Sequence, residues 1–218
     1  MRWFALSFGG LLGVAGLALA WLATRPPAGA YLEPATRYGP TEAAARTAKA
    51  LAGQQAEPFA LTKTGGGDAS LSGLLREGPV VLVFINHRCP CSMEAEPVFR
   101  AFARAWSGRA VFAGIIDAAG EEARLYAESN LVGYKLLEDP AMSTAAAYGA
   151  ERSLHVALIG ADGRIVQAWP GYSKGMLREL NERLAKETGT APRRIDVALA
   201  PDPITAGCVL TPAGEAAP

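Results

Sequence analysis

The chain alternates continuous apolar runs with segments of helical periodicity. Val80-Val81-Leu82-Val83-Phe84-Ile85 is apolar without interruption. Such a run reads as a strand buried on both faces, as in a parallel sheet covered by helices. Ala110 to Ile116 reads as a second central strand. His155 to Ile159 reads as a strand that turns at Asp162-Gly163 into Ile165 to Trp169, a hairpin. Between them, Phe99, Phe102, Ala103 and Trp106 recur at i, i+3, i+4 and i+7, which predicts a helix from Cys91 to Trp106 with a core-facing stripe. Pro97 lies within it and is expected to kink it. Glu121 to Ser129 is a further helix. Ser173 to Thr188 is a closing helix with Met176, Leu177, Leu180 and Leu184 on one side and Gly189 as its stop. Ahead of the first central strand, Thr41 caps an Ala-rich helix over 42–55, Phe59 to Thr62 is a short edge strand, and Thr64 to Asp68 is a turn. Ser70 to Leu75 is one helical turn, and Lys135 to Pro140 leads into a helical stretch ending at Tyr148-Gly149. This order predicts an α/β fold: a central mixed sheet flanked by helices, with parallel core strands and an antiparallel edge.

The ends add a second layer. Trp3 to Thr24 carries no charge and is bounded by Arg2 and by Arg25-Pro26-Pro27. Its 22 residues suffice to cross a bilayer, and predict one N-terminal transmembrane helix. The alternative is a cleaved signal peptide ending at Ala28-Gly29-Ala30. The expected organisation is an anchor over 1–25, a linker and short helix over 26–55, the main domain over 56–189 and a Pro/Ala-rich tail over 190–218, extended or disordered. The expected placement is a single pass through the inner (cytoplasmic) membrane, with the domain on the periplasmic or extracytoplasmic side. Twenty-one basic and twenty-one acidic residues cancel. With no basic block, nucleic acid is not an expected partner.

Three cysteines, Cys89, Cys91 and Cys208, are too few for a disulfide scaffold. Cys89-Pro90-Cys91-Ser92 follows the first apolar run and opens the next helix. Unpaired amides and the helix dipole at that junction favour a thiolate. Cys89 is therefore the expected nucleophile, ionised and reachable at the tip of the sheet, with Arg88 adding positive charge. Pro90 suits the first helical position. Cys91 is read as resolving thiol, metal ligand or passive neighbour. Cys208 is read as a mobile resolving thiol, a free thiol or an intermolecular partner. Asp117 is a proton relay or a strand-end cap. Glu94 and Glu96 complement the helix end. No nucleotide or flavin fingerprint is present, and no cofactor is expected.

The order and spacing of Phe59-Ala60-Leu61, Leu71 to Leu74, Val80 to Cys91, Pro97, Leu137 to Pro140, Tyr148-Gly149 and Leu158 to Val166 resemble the thioredoxin-like fold over about 56–187. The likeness is to its redoxin branch, which holds AhpC/TSA proteins and membrane-tethered thiol-disulfide oxidoreductases of the TlpA/ResA type. The tethered proteins carry Trp-Cys-x-x-Cys. Here Arg88 stands at the tryptophan, Cys89 at the first cysteine and Ser92 at the second. Leu154 stands where the fold has a cis-proline. A cis bond before leucine costs about 2.5–4 kcal/mol, so a trans bond is expected.

The resemblance implies an anchored extracytoplasmic thiol-disulfide oxidoreductase with Cys89 as nucleophile, Cys91 or Cys208 resolving, and a protein dithiol/disulfide partner. Two alternatives stand beside it. One is a peroxiredoxin-like peroxidase, in which Asn86 falls at the family's threonine and Leu82 at its proline. The other is a copper- or thiol-binding module drawing on His87 or His155. In that branch the cysteines are spaced Cys-x-x-x-Cys and the histidine would fall on Arg152.

Overall fold

The structure is a computed structural model and describes residues 39–210. Seven strands form one sheet in the order β2-β1-β5-β4-β3-β6-β7. The strands are β1 (Ala60–Lys63), β2 (Asp68–Ser70), β3 (Val80–Ile85), β4 (Val111–Ile116), β5 (Lys135–Glu138), β6 (Val156–Ile159) and β7 (Ile165–Trp169). Six helices accompany them: α1 (Glu42–Leu51), α2 (Leu71–Leu75), α3 (Pro90–Ala105), α4 (Gly120–Ser129), α5 (Ser143–Ala147) and α6 (Lys174–Glu187). β3 runs parallel to β4, and β4 to β5, while β6 lies antiparallel on the other side of β3.

The continuous apolar run of β3 has a direct consequence. Alternate residues enter two different cores. Val81, Val83 and Ile85 pack with Phe99, Phe102 and Trp106 of the α3 region and with Leu177, Leu180 and Leu184 of α6. Val80, Leu82 and Phe84 pack with Ala48, Leu71, Leu74 and Tyr148 on the opposite face. Each large apolar side chain so buried contributes roughly 1.5–3 kcal/mol. Helices thus cover both faces, and the tip of β3 is a position walled on both sides.

Two strands exceed the sequence expectation. β5 has only Leu136-Leu137 between charged residues, too short for a periodic signal; pairing with β4 makes it a strand. β2 is the polar Asp68-Ala69-Ser70, held by its register on β1. α1 stops at Leu51, short of 55, because Gly53 N–H donates to Ile165 O at 2.7 Å and draws the chain onto β7.

The expected transmembrane helix ahead of the domain is corrected. Among the described residues, no helix is long and apolar enough to cross a membrane. α3, with 16 residues, spans about 24 Å at 1.5 Å per residue, against roughly 30 Å of hydrocarbon, and it carries Glu94, Glu96, Arg100 and Arg104. Residues 3–24, on which the anchor was read, lie outside the described residues. The membrane anchor, the single-pass inner-membrane placement, the periplasmic assignment and the membrane as a partner are therefore withdrawn. The α/β thioredoxin-like fold with its mixed sheet stands.

Residues 190–210 run along the domain and pack on it. Ile195, Val197 and Ala200 touch the core that contains α3 and α6, and the Arg193 guanidinium lies 5.2 Å over the Trp106 ring.

Candidate functional site

The site begins where β3 ends. The chain turns through Asn86-His87-Arg88, and Cys89 N–H donates to Asn86 O at 3.1 Å. Cys89 has extended dihedrals and occupies the N-cap of α3, with Pro90 at its first turn. Ser92 N–H and Met93 N–H close the first turn on Cys89 O. Cys89 is thus placed by backbone geometry at a helix N-terminus, at the strand-to-helix junction read from the sequence.

Three segments converge on its sulfur. The Cys208 amide donates to Cys89 Sγ at 3.0 Å. The Cys91 and Cys208 thiols lie against it, and the Ser153 hydroxyl is buried with no hydrogen-bond partner. Hydrogen bonding from the Cys91 thiol first, and then from Cys208, outweighs burial and holds the Cys89 thiol down at about 4. The same bond to Cys89, with burial and the charge on Cys89, pushes Cys91 far above the usual thiol range. Burial first, then the bond to Cys89, raises Cys208 to about 12. All three cysteines are free. The arrangement thus favours the charged form at Cys89 and the neutral form at its two neighbouring thiols.

The expectation of a reachable thiol is corrected. Cys89 is 0% exposed. The cover is the segment around Cys208, which pairs with the loop before β6. Gly207 N–H donates to Ser153 O at 2.8 Å, Ser153 N–H to Cys208 O at 2.9 Å, and Leu210 N–H to Glu151 O at 3.0 Å. Asn86 Nδ2 donates to Val209 O at 3.0 Å and Arg152 Nη1 to Gly207 O at 3.2 Å. The described residues contain no cis peptide bond, and Leu154 has φ 68. This left-handed leucine costs about 1–2 kcal/mol. Its amide donates to Phe84 O at 2.7 Å, which ties the loop, and Ser153 with it, to the end of β3.

Arg88 does not act on the sulfur as expected. Its Nη2 pairs with Glu122 at 3.0 Å and its Nε donates to His87 Nε2 at 2.9 Å. With Nε2 accepting, His87 donates from Nδ1 to Asp117 Oδ1 at 2.8 Å, and Asp117 also caps the His87 amide. Asp117 is accordingly a strand-end cap. His155 is buried edge-on against Phe84, where burial lowers it to about 4. Among the described residues no three His, Cys, Asp or Glu are grouped to hold a metal ion. Glu94 and Glu96 diverge: Glu96 is buried, accepts from Tyr134 OH at 2.7 Å, and is raised by burial to about 7.

Sequence reasoning missed Ser153, Arg152 and Gly207 as parts of the site. Only two faint signals pointed to them: Ser153 precedes the leucine at the cis-proline position, and Gly207 precedes Cys208.

The AhpC/TSA family model matches residues 52–168, a range that includes Cys89, Cys91 and Ser153 and stops short of Cys208. Among solved structures, the peroxidoxin BcpB from Mycobacterium tuberculosis is 25% identical with a TM-score of 0.54, over 65% of this chain and 98% of that one. A putative protein disulfide isomerase from Bacteroides thetaiotaomicron is 23% identical with a TM-score of 0.56, over 63% of this chain and 90% of that one. A putative thiol:disulfide interchange protein DsbE from Chlorobium tepidum is 18% identical with a TM-score of 0.58, over 63% and 98%. The latter two share the fold. No curated protein matches the chain in sequence.

The expected anchored thiol-disulfide oxidoreductase is corrected on these grounds. Its spanning helix is absent from the described residues, and its Cys-x-x-Cys pair is broken by Ser92, which is buried with its hydroxyl unpartnered. The likeness at 25% identity is to a peroxidoxin. Because the family match covers more than half of its length, the chain belongs to the AhpC/TSA family.

Proposed function

We propose that the domain is a thiol peroxidase in which Cys89 reduces a peroxide and Cys208 resolves the product. The observation that carries this reading is the Cys208 amide aimed at Cys89 Sγ at 3.0 Å, at the N-terminus of α3. The surroundings lower the Cys89 thiol and raise those of Cys91 and Cys208. Peroxide reduction needs that asymmetry. The thiolate attacks one oxygen of the O–O bond, that bond breaks, and the departing alkoxide takes a proton to leave as alcohol or water. Cys89 becomes a sulfenic acid. The Cys208 thiol then attacks the oxidised sulfur, an S–S bond forms, and water leaves. Two electrons from a protein dithiol return both cysteines to thiols by disulfide exchange. Family membership supports the chemistry in general terms, and the peroxidoxin likeness supports the substrate class.

Cys91 serves as a donor to the thiolate in this reading. Its thiol hydrogen bond is the largest contribution holding Cys89 ionised.

Single-turnover reaction of the reduced protein with hydrogen peroxide or an organic hydroperoxide, followed by mass mapping, tests the proposal. The expected result is loss of one peroxide per chain and a Cys89–Cys208 disulfide, both abolished in Cys89→Ser. Peroxide loss at the same rate in Cys89→Ser would overturn it.

A further inference from the structure

Cys89 is sealed from solvent, and its cover includes one short extended segment, residues 205–210, that lies outside the seven-stranded sheet. We propose that this segment is a displaceable strap that gates the Cys89 site: substrate meets the sulfur when the strap lifts, and Cys208 resolves when it reseats. The choice of peroxide as substrate rests on the preceding proposal; the gate does not.

The closed state is built to fit. At Gly207 an added Cβ would collide with Ser153 Oγ and stand 3.2 Å from Cys89 Sγ. At Gly171 it would collide with Thr205 O. The backbone of the strap passes where a side chain on either residue would block it. Within the segment Thr205 and Ala206 are buried, Gly207 N–H, Cys208 O and Leu210 N–H pair with the 151–153 loop, and Cys208 N–H meets Cys89 Sγ.

The same contacts are weak enough to open. The strap joins the domain through isolated bridges, Arg152 with Val209 and Tyr172 with Thr205, rather than through a ladder of the main sheet. Four of its side chains are small, Thr205, Ala206, Gly207 and Cys208. Val209 is already exposed, so lifting the segment uncovers apolar surface chiefly at Ala206 and Leu210. Segments with few buried apolar contacts open locally at far lower cost than the core. By contrast, no movement of β3 or α3 can expose Cys89 without breaking the two cores those elements fill.

The gate couples two steps that need opposite states. Peroxide must reach Cys89 Sγ, which is buried and in contact with the Cys208 amide. Condensation of the sulfenic acid with the Cys208 thiol then needs the seated strap. No oxidant beyond the peroxide enters this cycle.

The test uses the full reduced chain and reads alkylation, not peroxide loss. Iodoacetamide at pH 7, with mass mapping of the Cys89 peptide, should react about ten-fold or more faster with Gly207→Val than with the wild type, since valine cannot seat. Val209→Ala, at an exposed position of the same segment, keeps the backbone pairing and should leave Cys89 protected to within about three-fold of wild type, and a rate as fast as that of Gly207→Val would overturn the gate. A Gly207→Val rate no faster than wild type overturns the gate. Hydrogen exchange of the wild-type chain gives a second measure free of mutation. The Gly207 and Cys208 amides should exchange at least ~100-fold faster than the Phe84 amide of β3. Exchange as slow as β3 overturns the gate. Fast alkylation in Gly207→Val without any peroxide loss would sink the peroxidase reading and leave the gate standing.

Discussion

The backbone N–H of Cys208 donates to Sγ of Cys89 at 3.0 Å, across 119 positions of sequence. An amide aimed at a sulfur favours its charged form, and here it comes from the same residue whose thiol is placed to resolve that sulfur. The contact makes ionisation and resolution properties of a single segment.

The cause of that ionisation is separable by substitution. Removing either the Cys91 or the Cys208 side chain should raise the Cys89 thiol from about 4, with Cys91→Ala having the larger effect. Thiolate absorbance near 240 nm during pH titration of each reduced variant measures the order. An unmoved Cys89 in Cys91→Ala would show that the helix N-terminus alone sets the charge.

Asn86 is expected to act as the clamp of the gating strap. Its amide holds Val209 O while its Oδ1 accepts from Arg88 N at 3.0 Å. Asn86→Ala should cost about 1–3 kcal/mol in urea denaturation by stranding these groups. It should also raise the exchange rate of the Gly207 amide while leaving β3 unchanged.

Two buried groups should give opposed pH dependence. His155 has a folded value of about 4 against 6.5 unfolded, so the unfolded chain binds more protons and stability falls as pH drops from about 6.5 towards 4. Glu96 has a folded value of about 7 against 4.5 unfolded, so the folded chain binds more protons and stability falls as pH rises from about 4.5 through 7. Each contributes on the order of 3 kcal/mol. The two slopes overlap and largely cancel in the wild type. His155→Leu should therefore gain stability relative to wild type as pH falls to 5, and Glu96→Gln should gain it at pH 8 and not at pH 4.5. Thermal melts across that range distinguish them; parallel curves for all three proteins would refute the assignment.

Trp106 is expected to be the costliest single truncation on the α3 face. It is wholly buried, donates from Nε1 to Asn181 Oδ1 at 3.1 Å, and lies under Arg193. Trp106→Ala should lose about 3–5 kcal/mol in equilibrium unfolding. Trp106→Phe should retain the packing and lose chiefly the bond to Asn181.

Much of the scaffold was legible before folding was considered. The unbroken apolar runs of β3 and β4 mark strands covered on both faces, and the spacing of Phe99, Phe102 and Trp106 marks the helix that covers one of them. Both are local signals carried by consecutive residues. The Cys89 position follows from the same signals, since a strand-to-helix junction leaves free amides wherever it occurs. β5 and β2 escaped because four and three residues are too few to show a period, and their conformation comes from the neighbouring strand. Arg88 misled because adjacency in sequence does not direct a side chain; Glu122, 34 positions away, directs it instead.

The amino-acid sequence alone determined the α/β architecture, the place of Cys89 at the start of α3 and the presence of Ser92, three residues further on, where a Cys-x-x-Cys motif has its second cysteine. Local periodicity and helix-end chemistry suffice for each of these. Only the tertiary structure decided that Cys208 and Ser153 meet Cys89, that the thiolate is closed off, and that Arg88 turns away. Those facts depend on long-range backbone pairing between the 151–153 loop and the 207–210 segment, and no pattern along the chain encodes which distant segments will share hydrogen bonds.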